Sequence, residues 1–205
     1  MTSRRITIIS AGLSQPSSTR LLADRLADAA TRALADAGFD ATVDVLELRD
    51  LATDVSNNLV TGFASPRLDR EIEKLTAADG VIAVTPIFTS SYSGLFKSFI
   101  DILDPESLKG MPVLIAATGG TERHSLALDY AMRPLFTYLR AIVLPTAVYA
   151  ASSDWGSVEA GLADRIDTAG RELAELVAKS DRSTHVRDPF ALPKGFSPVG
   201  GHEAQ

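Results

Sequence analysis

This sequence predicts a doubly wound α/β domain: a five-stranded parallel sheet in the order 2-1-3-4-5, with helices on both faces. Three observations carry that expectation. Short apolar runs alternate along the chain with segments whose apolar residues recur at helical spacing. The first, third and fourth runs are apolar throughout, as parallel strands covered on both faces are, whereas the second alternates and reads as an edge. Finally, 205 residues with 45% apolar and 22% charged side chains suit one globular domain with a real core.

The elements follow in order. RRITIIS (4–10) is strand one, and a helix runs from about Ser18 to Ala37. ATVDVLEL (41–48) is strand two, followed by a helix around 66–78 and by GVIAVTP (80–86) as strand three. A helix from about Tyr92 to Leu103 leads to MPVLIAATGG (111–120), strand four. A helix from about Ser125 to Leu139 precedes AIVLPTAVYAA (141–151), strand five, and a last helix spans about Val158 to Lys179. The domain is expected over 1–180. Residues 181–205 hold Pro, Gly and charge without periodicity and are expected to form a tail, docked through Phe190 and Phe196 or mobile.

Composition closes several chemistries. Without cysteine there is no disulfide, thiol nucleophile or cysteine-ligated metal. The formal net charge of −6 disfavours a general electrostatic grip on nucleic acid but permits a local basic patch for one anion. The apolar runs are far shorter than the roughly 18 residues of a membrane span. The N-terminal run enters a turn without a small-residue cleavage site, so it reads as a strand and the cytoplasm is the expected location. The three histidines lack metal-site spacing, and no metal is expected.

In open α/β sheets ligands bind beyond the carboxyl ends of the strands, where strand order reverses. That rule selects three loops: Ala11 to Arg20, Pro86 to Gly94, and Thr118 to Ser125. All are rich in Ser, Thr and Gly. In the first, Ser14, Ser17, Ser18 and Thr19 offer hydroxyls, Arg20 a forked charge, and the following helix its N-terminal amides, a donor set suited to a phosphate monoester. Three or four charge-assisted hydrogen bonds, each about 1.5–3 kcal/mol, suffice for the roughly 8 kcal/mol of a micromolar ligand. Helix capping is the alternative use of the same hydroxyls. There is no P-loop lysine and no G-x-G-x-x-G, which argues against a nucleoside triphosphate or a dinucleotide held in Rossmann fashion. In the third loop Gly119 and Gly120 leave room for a flat ligand against backbone amides, or simply form a tight turn. In the second, Phe88 and Tyr92 supply aromatic surface for a ligand or for the core. One phosphate cradle beside a slot for a flat ring describes FMN better than a nucleoside triphosphate.

Together these loops resemble the NADPH-dependent FMN reductase family, whose fold is flavodoxin-like. The matching stretches are SQPSSTR (14–20), TPIFTSSYSGLFKSFIDIL (85–103), LKGMPVLIAATGGTERHSLALDYAMRPLF (108–136) and LPTAVYA, within a span of about 4–155. With SNNLVTGF (56–63) added, the chain is most similar to the subgroup paired with luciferase-like and alkanesulfonate monooxygenases. The resemblance implies that Ser14, Pro16, Ser17, Ser18, Thr19 and Arg20 hold the FMN phosphate. Pro86, Ile87, Phe88, Tyr92, Ser93 and Gly94 flank the flavin, and Thr118, Gly119, Gly120 and Thr121 meet the isoalloxazine edge. Many relatives have Tyr where this chain has Phe88, so a polar contact from that hydroxyl is absent here.

The implied activity is NAD(P)H:FMN oxidoreduction that supplies reduced FMN to a partner monooxygenase. Hydride passes from nicotinamide C4 to flavin N5, and the protein positions the two rings without a catalytic acid or base. Two rivals stay open: a reductase that keeps FMN bound and reduces a quinone or azo compound, and a non-enzymatic flavodoxin-like electron carrier. Arg20, Arg123 and Arg133 are candidates for a 2′-phosphate, leaving NADPH against NADH open. His124 reads as a loop or cap residue, and His185 and His202 as incidental. In SLALDYAMRPLFTYL, Pro134 lacks the N–H that would bond the carbonyl of Tyr130, which predicts a kink or bulge. That helix is apolar nearly all round and is expected to be buried on more than one side; the helix-mediated dimers and tetramers of the family it resembles imply that Tyr130 lies at a homodimer or homotetramer interface near the flavin, with a core tyrosine as the alternative.

Overall fold

The structure is a computed structural model that describes residues 2–156, 161–180 and 182. The tail with Phe190, Phe196, His185 and His202 lies outside the described residues, as does Val158, the expected start of the last helix. That helix is described from Leu162.

Strand β1 (Ser3–Ser10) is buried from Ile6 onward and lies between β2 (Asp40–Glu47) and β3 (Gly80–Phe88), parallel to both. β3 pairs in parallel with β5 (Pro112–Gly119), whose far side takes β6 (Ile142–Val143) and β7 (Val148–Ala151). Side chains alternate through the sheet. Ile6, Ile8, Ile82, Val84 and Leu114 face one layer, formed by α1 (Ser18–Asp36) and α6 (Leu162–Ala178). These two helices cross so closely that a Cβ on Gly170 would press into the backbone of Ala29. On the other face Ile9, Val81, Ala83, Val113 and Ile115 pack with Phe96, Phe99 and Phe136. This second layer holds α2 (Ala52–Thr61), α3 (Pro66–Thr76), α4 (Gly94–Asp101) and α5 (Arg133–Tyr138).

The α/β class with a parallel sheet and helices on both faces is found as the sequence predicts, but the predicted five strands in the order 2-1-3-4-5 are not. The sheet has seven strands in the order β2-β1-β3-β5-β6, with β4 (Ser91–Tyr92) paired to β3 and β7 to β5. Two local causes account for the difference. The third run continues through Pro86 to Phe88 and folds back as an antiparallel hairpin over Thr89 and Ser90, at φ 49° and 68°. Two left-handed residues make the tight turn whose twist suits a hairpin. The fifth run is broken by Pro145, which has no N–H to give, while the N–H of Thr146 bonds the Glu172 carboxylate. Its two halves rejoin β5 out of step: Val113 pairs Val143, yet Ala116 pairs Val148.

Helix α2 goes unpredicted, because Ser56, Asn57 and Asn58 are poor helix formers. Fully buried Val55 and the left-handed Gly62 at its end, φ 77°, hold it in place. Helix α4 begins after its expected start because Tyr92 belongs to β4. The expected helix of 125–139 divides into a π-helical turn (Leu128–Met132) and α5, the predicted bulge falling one turn before Pro134. No described helix is long and apolar enough to cross a membrane.

Candidate functional site

The first loop leaves β1 through Ala11, whose N–H bonds the Val84 carbonyl at 2.9 Å. At Gly12 a Cβ would collide with the Ser17 hydroxyl, so glycine lets the loop close tightly on the start of α1. Ser17 caps that helix, its Oγ accepting from Arg20 N at 3.2 Å. The capping alternative therefore accounts for one hydroxyl of the loop. Ser14, Pro16 and Ser18 are exposed beside it.

Arg20 stands in a ring of carboxylates. Its Nε donates to Asp24 at 2.7 Å and its Nη1 to Glu47 at 2.8 Å, and these bonds hold its pKa above the ordinary arginine value. Its Nη2 has no partner among the described residues. Arg49 approaches from the end of β2, where Nη1 donates to the Ser14 carbonyl at 3.2 Å. A cavity of about 290 Å³ opens between these arginines and Ser14, Pro16 and Ser17. Glu47 and Arg49 go unnamed at the sequence level, although the rule that selects loops at strand ends applies equally to the end of β2.

Thr19 does not face this cavity. It is 2% exposed and shares a 2.8 Å hydrogen bond with the hydroxyl of Thr118, itself buried at the end of β5. Two residues 99 positions apart, each expected to touch the ligand, thus bind each other and tie the first loop to the third. Beyond Thr118, the space a Gly119 Cβ would need holds the Tyr149 hydroxyl, which donates to the Thr121 carbonyl at 2.7 Å. Burial, with Glu122 and Asp154 nearby, keeps the Tyr149 pKa above the usual 10.0, so it remains a donor at neutral pH. Gly120 is exposed, with open space around it.

The second loop is braced from within. Thr85, fully buried, accepts from Ser93 N at 3.0 Å, and Ser93 in turn caps α4 through Phe96 N at 3.2 Å. Pro86 and Ile87 are half-buried and Gly94 is exposed. Of the two aromatics, Tyr92 packs toward Phe96 with ring centroids 6.0 Å apart, whereas Phe88 stays 47% exposed at the strand end. Tyr92 thus belongs partly to the core and Phe88 does not.

Of the other candidate cations, Arg133 is engaged. It donates to the Leu144 and Pro145 carbonyls at 2.7 and 3.2 Å and to Asp129, bracing the break between β6 and β7. Arg123 is exposed and His124 half-buried in the turn after β5. Tyr130, on the π-helical turn, is 79% exposed, so it is not a core tyrosine of this subunit. A larger cavity, about 440 Å³, lies between α4 and α5. None of the three strand-end loops lines it, and its one ammonium, Lys97, is paired with Asp101 at 2.5 Å.

The family model for NADPH-dependent FMN reductases matches residues 4–156. The chain is 36% identical over 177 residues to an FMN reductase (NADPH) of Pseudomonas aeruginosa, covering 84% of this chain and 91% of that one. To the NADH-dependent FMN reductase SfnF of Pseudomonas putida it is 35% identical over 146 residues, 71% and 76% of the two chains. Among solved structures, an oxidoreductase from Corynebacterium diphtheriae superposes with a TM-score of 0.85 at 45% identity, over 88% of this chain and all of that one.

Proposed function

The chain belongs to the NADPH-dependent FMN reductase family, and from that premise we propose that it oxidises NAD(P)H and delivers reduced FMN to a partner flavin-dependent monooxygenase. The reaction class, NAD(P)H-dependent FMN reduction, goes with the family. The partner is the finer step, supported by the subgroup that SNNLVTGF and the strand-end loops resemble. What carries the reading is the arrangement at the carboxyl ends of the strands: a cavity at the start of α1 lined by Ser14, Ser17, Arg20 and Arg49, with exposed Phe88 and Gly120 at the ends of β3 and β5.

The donor set fits FMN. Exposed Ser14 and Ser18, half-buried Ser17, the unbonded Nη2 of Arg20 and the first amides of α1 suit a phosphate that needs several donors. Asp24 and Glu47 balance most of the Arg20 charge, so the hydroxyls and amides carry the larger share of the grip. Thr19 acts one step behind, holding the first and third loops in register through Thr118. Pro86, Ile87 and Phe88, with Tyr92 to Gly94, flank the ring, and Gly119 to Thr121 face its edge. When bound, FMN supplies the hydride acceptor; the residues bind it, orient it and leave one face open for nicotinamide. Leu126, Tyr130 and Tyr138, 62%, 79% and 76% exposed along the π-helical turn and α5, support a homodimer or homotetramer interface on that side.

The test follows NADPH absorbance with flavin-stripped protein, with and without FMN, in air and without oxygen. Oxidation that requires FMN, saturates with it and yields stoichiometric free reduced FMN anaerobically establishes flavin as a substrate. Tightly retained FMN with turnover only on an added quinone or azo acceptor, or no NADPH oxidation at all, overturns the reading.

A further inference from the structure

We infer that Tyr149 is a positioning residue for the flavin ring: its hydroxyl sets the backbone of Gly119–Thr121 from behind, and so governs binding of the ring without touching the phosphate. The inference rests on the FMN reading above. Its grounds are geometric. β7 runs beside β5 with Ala117 opposite Tyr149 and Gly119 opposite Ala151, so Tyr149 sits one turn of the pleat below the loop. The side chain is 7% exposed and belongs to the core layer of α4 and α5. Its hydroxyl reaches up to the Thr121 carbonyl at 2.7 Å and occupies the volume that any side chain at Gly119 would take.

The end of β5 is therefore gripped from both faces of the sheet. Thr118 is held from the α1 face by Thr19, and Gly119 and Thr121 from the opposite face by Tyr149. A phenol meets the second requirement, being long enough to cross from β7 and ending in a donor for a carbonyl. Phenylalanine would fill the same core space and leave the Thr121 carbonyl unbonded. The two grips act on different parts of the ligand site. Ser17 and its neighbours serve the phosphate end, and Tyr149 serves the ring end.

That division sets the experiment: flavin fluorescence titrations of the wild-type chain with FMN and with riboflavin, repeated for Tyr149→Phe and for Ser17→Ala. Tyr149→Phe is expected to weaken FMN and riboflavin by the same factor, about fivefold, the worth of one net hydrogen bond. Ser17→Ala weakens FMN alone. In the ligand-free proteins, amide hydrogen exchange should quicken at 120–123 in Tyr149→Phe and stay unchanged at 18–20. Gly119→Ala gives an independent check. Its Cβ collides with the Tyr149 hydroxyl, so it should lower ring affinity strongly in the wild-type chain and less in the Tyr149→Phe background, where only a 3.0 Å approach to the ring carbon remains. Unchanged flavin affinity and unchanged exchange in Tyr149→Phe, or strictly additive losses in the double variant, would overturn the inference. Failure of the wild-type chain to bind FMN would instead overturn the underlying reading.

Discussion

The two ends of the sheet are built from similar polar residues and use them in opposite ways. At the amino ends of the strands, Asp79 is fully buried and accepts from Arg5 N at 2.9 Å and from the Ser180 hydroxyl at 3.1 Å. Arg182 donates there to the carbonyls of Lys109 at 2.5 Å and Ser107 at 3.3 Å, its pKa lowered by burial. Arg4 bonds the Ala178 carbonyl at 3.0 Å and lies 4.9 Å over the Phe39 ring. That end closes on itself. At the carboxyl ends, Ser14 and Ser18 are exposed, Gly120 borders open space and Phe88 remains half-exposed. Most of the amino-end groups bond within the fold, although Arg4 Nε, Arg182 Nε and Ser107 Oγ are buried without a partner among the described residues. The difference agrees with the proposal that places the ligand at the carboxyl ends.

Substitutions can break this contrast, beginning with the largest effect. Asp79→Ala removes a buried carboxylate that accepts from the Arg5 amide and the Ser180 hydroxyl, and should cost about 3 kcal/mol in urea unfolding while leaving the FMN affinity of the folded fraction within about twofold. A large loss of flavin affinity at unchanged stability would erase the distinction between the ends. Thr19→Val unpairs the buried Thr118 hydroxyl and should cost about 2 kcal/mol. Because the pair joins two site loops, FMN binding should weaken as well, a double signature that isothermal titration and thermal melts read together. Ser17→Ala removes a cap worth about 1 kcal/mol. It sharpens the contrast if the loss of FMN affinity, about tenfold, is absent for riboflavin. Phe88→Ala should leave stability within about 0.5 kcal/mol, since the ring is half in water already, yet weaken both flavins severalfold in fluorescence titrations.

The parts of this arrangement visible in the sequence are those fixed by local chemistry. Continuous apolar runs marked the inner strands, the hydroxyl-rich stretch marked the loop after β1, and Pro134 marked the departure from regular α-helix at Leu128–Met132. Tertiary choices were hidden. Nothing local tells that Thr19 turns inward to meet Thr118, because the partner lies across the sheet. Thr89 and Ser90 carry no signal for left-handed backbone, so the sequence does not show the hairpin that ends β3 and delays the start of α4 to Gly94. Helix α2 owes its existence to burial of Val55 and not to propensity. Pro145 did carry the information that the last strand breaks. It was overridden by the apolar residues around it.

That broken strand also bears on how copies of the chain can meet. A parallel sheet with a long, flat, apolar border invites another strand to add to it, the first step toward fibrous aggregation. Here one border is the pair of fragments β6 and β7, two and four residues long, set out of register by the Pro145 interruption. The other is β2, which carries Asp40 and Asp44 along its length. Neither offers an incoming strand an uninterrupted, uncharged template for edge-to-edge pairing.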